Sequence, residues 1–185
     1  MKHIGLVALM AQLVATGVSA QDRPVSVTMR SSGDMLATAI NLHDHTITDE
    51  ETLAGDGTLG AFTYHALRAD ADTPQVPNPP ATCGTPLFFS VTTGGGVFRF
   101  EDGSLLVVNT TGGGICIDLA ASMARLTENF VIASGTGRFE HASGNLTFVG
   151  TVTPVVFNAA GGAQFLTLAG NVEGTLTGIH HGRDK

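Results

Sequence analysis

Nowhere along the chain does an apolar period of 3.6 residues persist for more than a turn or two. Short alternating or β-branched runs recur instead, punctuated by glycine or Asp-Gly. A period of two places successive side chains on opposite faces of an extended backbone, so this pattern restricts the chain to an all-β fold. Strands are expected near 24–30, 35–45, 58–67, 86–92, 96–101, 104–110, 115–120, 127–133, 145–157 and 163–176, with one short helical turn between 119 and 126. The clearest hairpin runs from Val97 to Val108, because Asp102-Gly103 tolerates the positive φ that a tight turn requires. Short antiparallel strands assemble into either a sandwich or a closed barrel. Gly150, Gly170 and Gly174 lie inside long strands, where they permit the bends that closure needs. The expectation is a single antiparallel β-barrel of about eight strands with little helix.

The first twenty residues read differently. Met1-Lys2-His3 precedes an apolar run from Ile4 to Val18, and Val18-Ser19-Ala20 has the small-x-small form of a cleavage site. That is the pattern of a secretory signal peptide over 1–20, leaving 21–185 as one domain in the periplasm or outside the cell. No later apolar run approaches the ~20 residues of a membrane-spanning helix, so no insertion by a helix is expected after the leader is removed. The net formal charge is −7, one unit more negative once Lys2 is gone, which disfavours nucleic acid and anionic membrane as partners. Only Lys185 then remains as a lysine, so an internal lysine Schiff base is excluded. Export favours a disulfide between Cys83 and Cys116, with two separate buried thiols as the alternative. Between 69 and 86, Pro74, Pro77, Pro79, Pro80 and Pro86 mark a surface loop, since proline cannot donate to a ladder.

Phe130 to Ala133, then Ser134-Gly135-Thr136-Gly137-Arg138-Phe139-Glu140-His141-Ala142-Ser143-Gly144, then Leu146-Thr147-Phe148 resembles the strand, G-T-G-x-F-x-x-A-x-G, strand segment of the allene oxide cyclase and dirigent barrel superfamily. Asn41-Leu42-His43-Asp44 resembles the His-Asp at the end of the first dirigent strand. Ser143 stands where that family usually carries arginine. The resemblance implies a barrel that holds an apolar small molecule and steers a cyclisation or isomerisation, with no cofactor, and that often forms homo-oligomers. A non-catalytic barrel that binds a ligand or a protein outside the cytoplasm has the same sequence signature. A phosphate loop at Gly135–Gly137 is disfavoured, because a strand and not a helix follows it. The glycines there are expected to form a barrel corner, with Phe139 plugging its end.

Three residues are candidates for the polar groups of such a site: Asp44, Tyr64 and Arg99. Asp44 shares a strand face with Leu36, Ile40 and Leu42, where burial would raise its pKa toward neutral and suit it to proton transfer. Tyr64 shares a face with Phe62, and Arg99 with Val97 and Glu101. An alternative set, His43, His45, Glu50 and His141, partly matches the two cupin motifs and would bind a divalent metal. The run Asp49-Glu50-Glu51 reads as a solvated acidic turn, because neighbours in sequence cannot flank a substrate bond. No G-x-S-x-G elbow supports a hydrolase.

Overall fold

The computed structural model describes residues 23–75, 83–84, 87–159 and 161–180. The leader assigned to 1–20 and most of the proline-rich connection lie outside them. Eight strands run in chain order: β1 (Val25–Asn41), β2 (Thr46–Gly57), β3 (Phe62–Ala71), β4 (Phe88–Phe100), β5 (Leu105–Asp118), β6 (Met123–Gly135), β7 (Ser143–Phe157) and β8 (Ala163–Thr177). Each pairs antiparallel with the next, and β8 returns to pair with β1, closing the barrel. Closure leaves no unpaired sheet edge. Among the described residues the only helical turn is the 3-10 turn Gly137–Phe139.

The barrel is the expected one, but its strands are longer and fewer than the local pattern suggests. Stretches 24–30 and 35–45 are one strand broken by no turn, while 42–45 is the turn that ends it. The pieces around Gly94–Gly96 merge into β4, and those around Gly112–Gly114 into β5. These glycines interrupt neither strand, and Gly94, Gly96 and Gly114 leave room for side chains from neighbouring strands. A Cβ on Gly96 would lie 2.5 Å from the Tyr64 ring, and one on Gly94 2.8 Å from the Arg68 Cβ. Register shifts at Thr110/Gly112 and Ala69/Asp70 insert extra residues, switching which alternate residues face inward. Thus β5 buries Leu106 and Val108 at one end and turns Ile115 and Ile117 inward at the other. The helical turn expected within 119–126 does not form: 119–122 is the plain turn between β5 and β6, which begins at Met123.

The Asp102-Gly103 hairpin forms as expected. Gly103 has φ +82°, its N–H donates to the Phe100 carbonyl, and Asp102 Oδ1 accepts from the Ser104 N–H. Beside it the Gly137–Phe139 turn closes one end of the barrel. Phe139 is fully buried with its ring 4.8 Å from that of Phe100. The Arg138 guanidinium lies over both rings, pairs with Asp102 at 3.2 Å and donates to the Leu59 carbonyl. The connections at the opposite end, 42–45, 72–87, 119–122 and 158–162, carry no such plug among the described residues.

Cys83 and Cys116 are joined, with Cα atoms 5.5 Å apart, tying the long β3–β4 connection to β5. Closing a loop of this span, 33 residues in sequence, stabilises by about 3 to 4 kcal/mol in the chain-entropy model. Replacing both cysteines by alanine is expected to lower the unfolding free energy by that amount in urea titrations, and added reductant should then change nothing further. Phe139→Ala, which empties the closed end, is expected to cost about 3 to 5 kcal/mol in the same measurement.

Candidate functional site

Of the residues expected to carry chemistry, only Tyr64 points into the barrel; it is 2% exposed and stacks on Phe98 at 4.3 Å. Asp44 does not lie on a strand face. It sits in the 42–45 turn with its side chain 62% exposed, where it accepts hydrogen bonds from Asn41 and pairs with His43. The apolar alternation breaks there because Asn41 caps the turn, its Oδ1 accepting from the His43 and Asp44 amides. Arg99 points outward from β4, in a hollow of the outer wall with Thr63 and His65.

The alternative metal set does not converge. His45 has φ 53° in the turn and faces Asp72, and Glu50 points outward to His65 at 2.8 Å. His141 lies at the other end of the barrel, in the β6–β7 connection. Among the described residues, no group of three or more His, Cys, Asp or Glu is arranged to hold a metal ion.

The acidic run is not a solvated turn. Asp49-Glu50-Glu51 lies within β2, so alternation sends Glu50 out while Asp49 and Glu51 go in, alongside Leu53. Opposite them on β3, Tyr64, Ala66, Arg68 and Asp70 share the inward face. Arg68 is 2% exposed, and Gly94 across from it leaves room for the base of its side chain, since a Cβ there would lie 2.8 Å from the Arg68 Cβ. Its NH2 lies 3.1 Å from Asp70 Oδ2 and 3.5 Å from Asp49 Oδ2, and donates to the Met35 sulfur at 3.1 Å. Its NH1 lies 2.6 Å from Glu51 Oε1 and 3.9 Å from Glu128 Oε2. The Glu51 contact is an ion pair without the alignment of a hydrogen bond, since neither atom has a hydrogen-bond partner. Glu128, from β6, accepts from the Thr110 hydroxyl at 2.6 Å.

Four buried carboxyl groups around one buried cation leave an excess of negative charge in a low-dielectric interior. The cluster responds by keeping protons. Burial pushes Asp49 from 3.8 up to about 8, against the pull of Arg68 and with help from a hydrogen bond to Asp70. Burial and the charge of Glu51 push Glu128 to about 7, and burial also raises Glu51. Burial, then the charges of Glu128 and Glu51, holds the Tyr64 hydroxyl well above its ordinary range, so it stays neutral. Burial disfavours charge on Arg68 too, but the surrounding carboxylates outweigh it and keep the guanidinium protonated.

The cluster stays buried, Asp49 and Asp70 being 5% and 4% exposed at the end of the barrel away from Phe139. There Asp49 and Asp70 form the polar part of a cavity of about 170 Å3 whose other walls are apolar: Met35, Ile47, Phe89, Ile115, Ile117 and Leu166 among them. Larger hollows, near 580 and 560 Å3, lie on the outer wall and do not reach the cluster. An apolar-walled hollow with a few convergent polar groups is the usual form of a small-molecule site.

No protein-family model and no curated protein matches the chain. Among solved structures, the pterocarpan synthase dirigent protein is similar to it with a TM-score of 0.41 and 10% identity, over 90% of this chain and 99% of that one. The chemistry of the interior is therefore read from its own geometry.

Asp49, Glu51, Arg68, Asp70 and Glu128 carry no motif, but the period-two pairs Asp49/Glu51 and Arg68/Asp70, each in phase with an inward Leu53 or Tyr64, are the signal by which a strand reading finds them. Carboxyls whose folded pKa is raised stabilise fully below their unfolded values near 4, and that contribution is lost as pH rises through the folded values near 7 and 8. The unfolding free energy is thus expected to fall between pH 5 and pH 8.5, and Asp49→Asn to flatten the fall. Arg68→Leu, which strips the cluster of its cation, is expected to destabilise by about 3 to 5 kcal/mol, and more at pH 8.5 than at pH 5.

Proposed function

We propose that the protein is an exported barrel that holds an apolar small molecule in the cavity at its open end and steers a cyclisation or isomerisation of it. The observation that supports this reading is the cavity: apolar on its walls, bordered by the ionic cluster, with Asp49 and Asp70 the only ionisable residues among its lining. Steering of this kind needs no nucleophile. Holding a flexible molecule in one reactive conformer supplies much of the rate advantage by itself. The carboxyl pair anchors the polar end of the molecule and so fixes its orientation. The Cys83–Cys116 bond agrees with an oxidising compartment, as does the leader-like start of the chain.

The test is native mass spectrometry of the protein purified from its secreting host, together with fluorescence titration using 1-naphthylmethanol as an apolar probe. A stoichiometric small molecule, or saturable probe binding that Ile115→Trp weakens by at least about tenfold through filling the cavity, supports the reading. A barrel that retains nothing and takes up no probe overturns it in favour of a protein-binding role.

A further inference from the structure

We infer that the open end of the barrel docks on a zwitterionic lipid surface, with Ile40, Leu42, Leu119 and Phe157 entering the headgroup layer around the cavity mouth. The lipid layer gives the proposed ligand a source, and only for that purpose does the inference rest on the proposed function.

The connections after β1, β3, β5 and β7 all leave the barrel at this end. Ile40, Leu42, Leu119 and Phe157 are 65%, 78%, 74% and 57% exposed there, with Val155 and Val156 exposed beside Phe157. At the other end the large apolar side chains of the connections, Leu59 and Phe139, are buried. The rim also continues the cavity. Ile40 pairs with Ile47 and Phe157 with Ala163, and Ile47 and Ala163 both line the cavity. Residues directly opposite in an antiparallel pair share a face, so Ile40 and Phe157 extend the cavity wall outward past the ionic cluster. Leu119 follows the cavity residue Ile117 by two positions. A cluster of exposed large apolar side chains at a cavity mouth marks an interaction surface.

Charge selects what covers that surface. No lysine or arginine occurs in 42–45, 72–87, 119–122 or 158–162. The acids in these connections and at their strand ends are Asp44, Asp72 and Asp118, with His43 and His45 beside the first two. The net formal charge of −7 adds to that local excess. A second copy set mouth to mouth would bring the acids against their own images, and an anionic lipid surface is repelled in the same way. Zwitterionic headgroups carry no net charge and present an ammonium outermost. They therefore complement the carboxyl groups of the rim, while the layer beneath receives Ile40, Leu42, Leu119 and Phe157. Docking of this kind needs no spanning helix, and the described residues contain none.

Flotation of the protein purified from its secreting host tests this, with vesicles of phosphatidylcholine alone and of equal parts phosphatidylcholine and phosphatidylglycerol. Binding to the first is expected to exceed binding to the second. Leu42→Ser combined with Phe157→Ser should weaken it by at least about tenfold, since interfacial affinity scales with the apolar area buried. Leu67→Ser, which removes a comparably exposed apolar side chain from the middle of β3, should leave it unchanged. Vesicles that retain no protein, a preference for the phosphatidylglycerol mixture, or equal losses in the rim and β3 variants overturn the docking. So does a dimer in sedimentation velocity that the double rim variant dissolves, which assigns the rim to a second copy. Uptake of 1-naphthylmethanol by the same sample keeps the two readings apart. Probe binding without vesicle binding strikes the docking and leaves the ligand seat, and vesicle binding without probe uptake does the reverse.

Discussion

The structure turns on one guanidinium. Arg68 is held inside a closed barrel, where a lone charge would be prohibitively costly, and it persists because four carboxyl groups converge on it from β2, β3 and β6. The compensation overshoots. Four acids for one base force the cluster to retain protons, and this gives the interior carboxyl groups that are neutral near physiological pH. Much else follows from the need to house that group: glycine at Gly94 where the side chain passes, Thr110 oriented to donate to Glu128, and a Met35 sulfur drawn into the coordination of the guanidinium.

The two ends of the barrel are built for different purposes. At one, Phe139 and Arg138 close over the Phe100 ring, and the Asp102-Gly103 hairpin supplies the carboxylate that fixes the arginine. At the other, register shifts in β4 and β5 turn Phe89, Ile115 and Ile117 inward without filling the space, leaving an apolar mouth above the ionic floor. Among the described residues, the barrel is plugged at one end only and carries its ionic groups at mid-depth.

Much of the fold was legible locally. The hairpin and the Phe139 plug follow from short-range signals and the Cys83–Cys116 pairing from the leader-like start, and all three are found, with little helix among the described residues. The candidate site is far less legible. Strand alternation carried as far as Asp44 crosses a turn that Asn41 caps, and Arg99 lies on the outer wall. Asp49 and Glu51 sit in a run of three acids, a pattern that by itself resembles solvated surface. Burying two of them becomes plausible only when a cation from another strand is known to meet them.

What the sequence determined by itself is the class of structure: period-two alternation with glycine and Asp-Gly turns permits only antiparallel strands, whose faces are set by the backbone. What only the tertiary structure decided is which face is inside and what meets there. Asp49 and Arg68 are opposite one another in the β2–β3 register, and Glu128 arrives from β6 only because the barrel closes. Register and closure are sums over many distant contacts, and no window of neighbouring residues contains them.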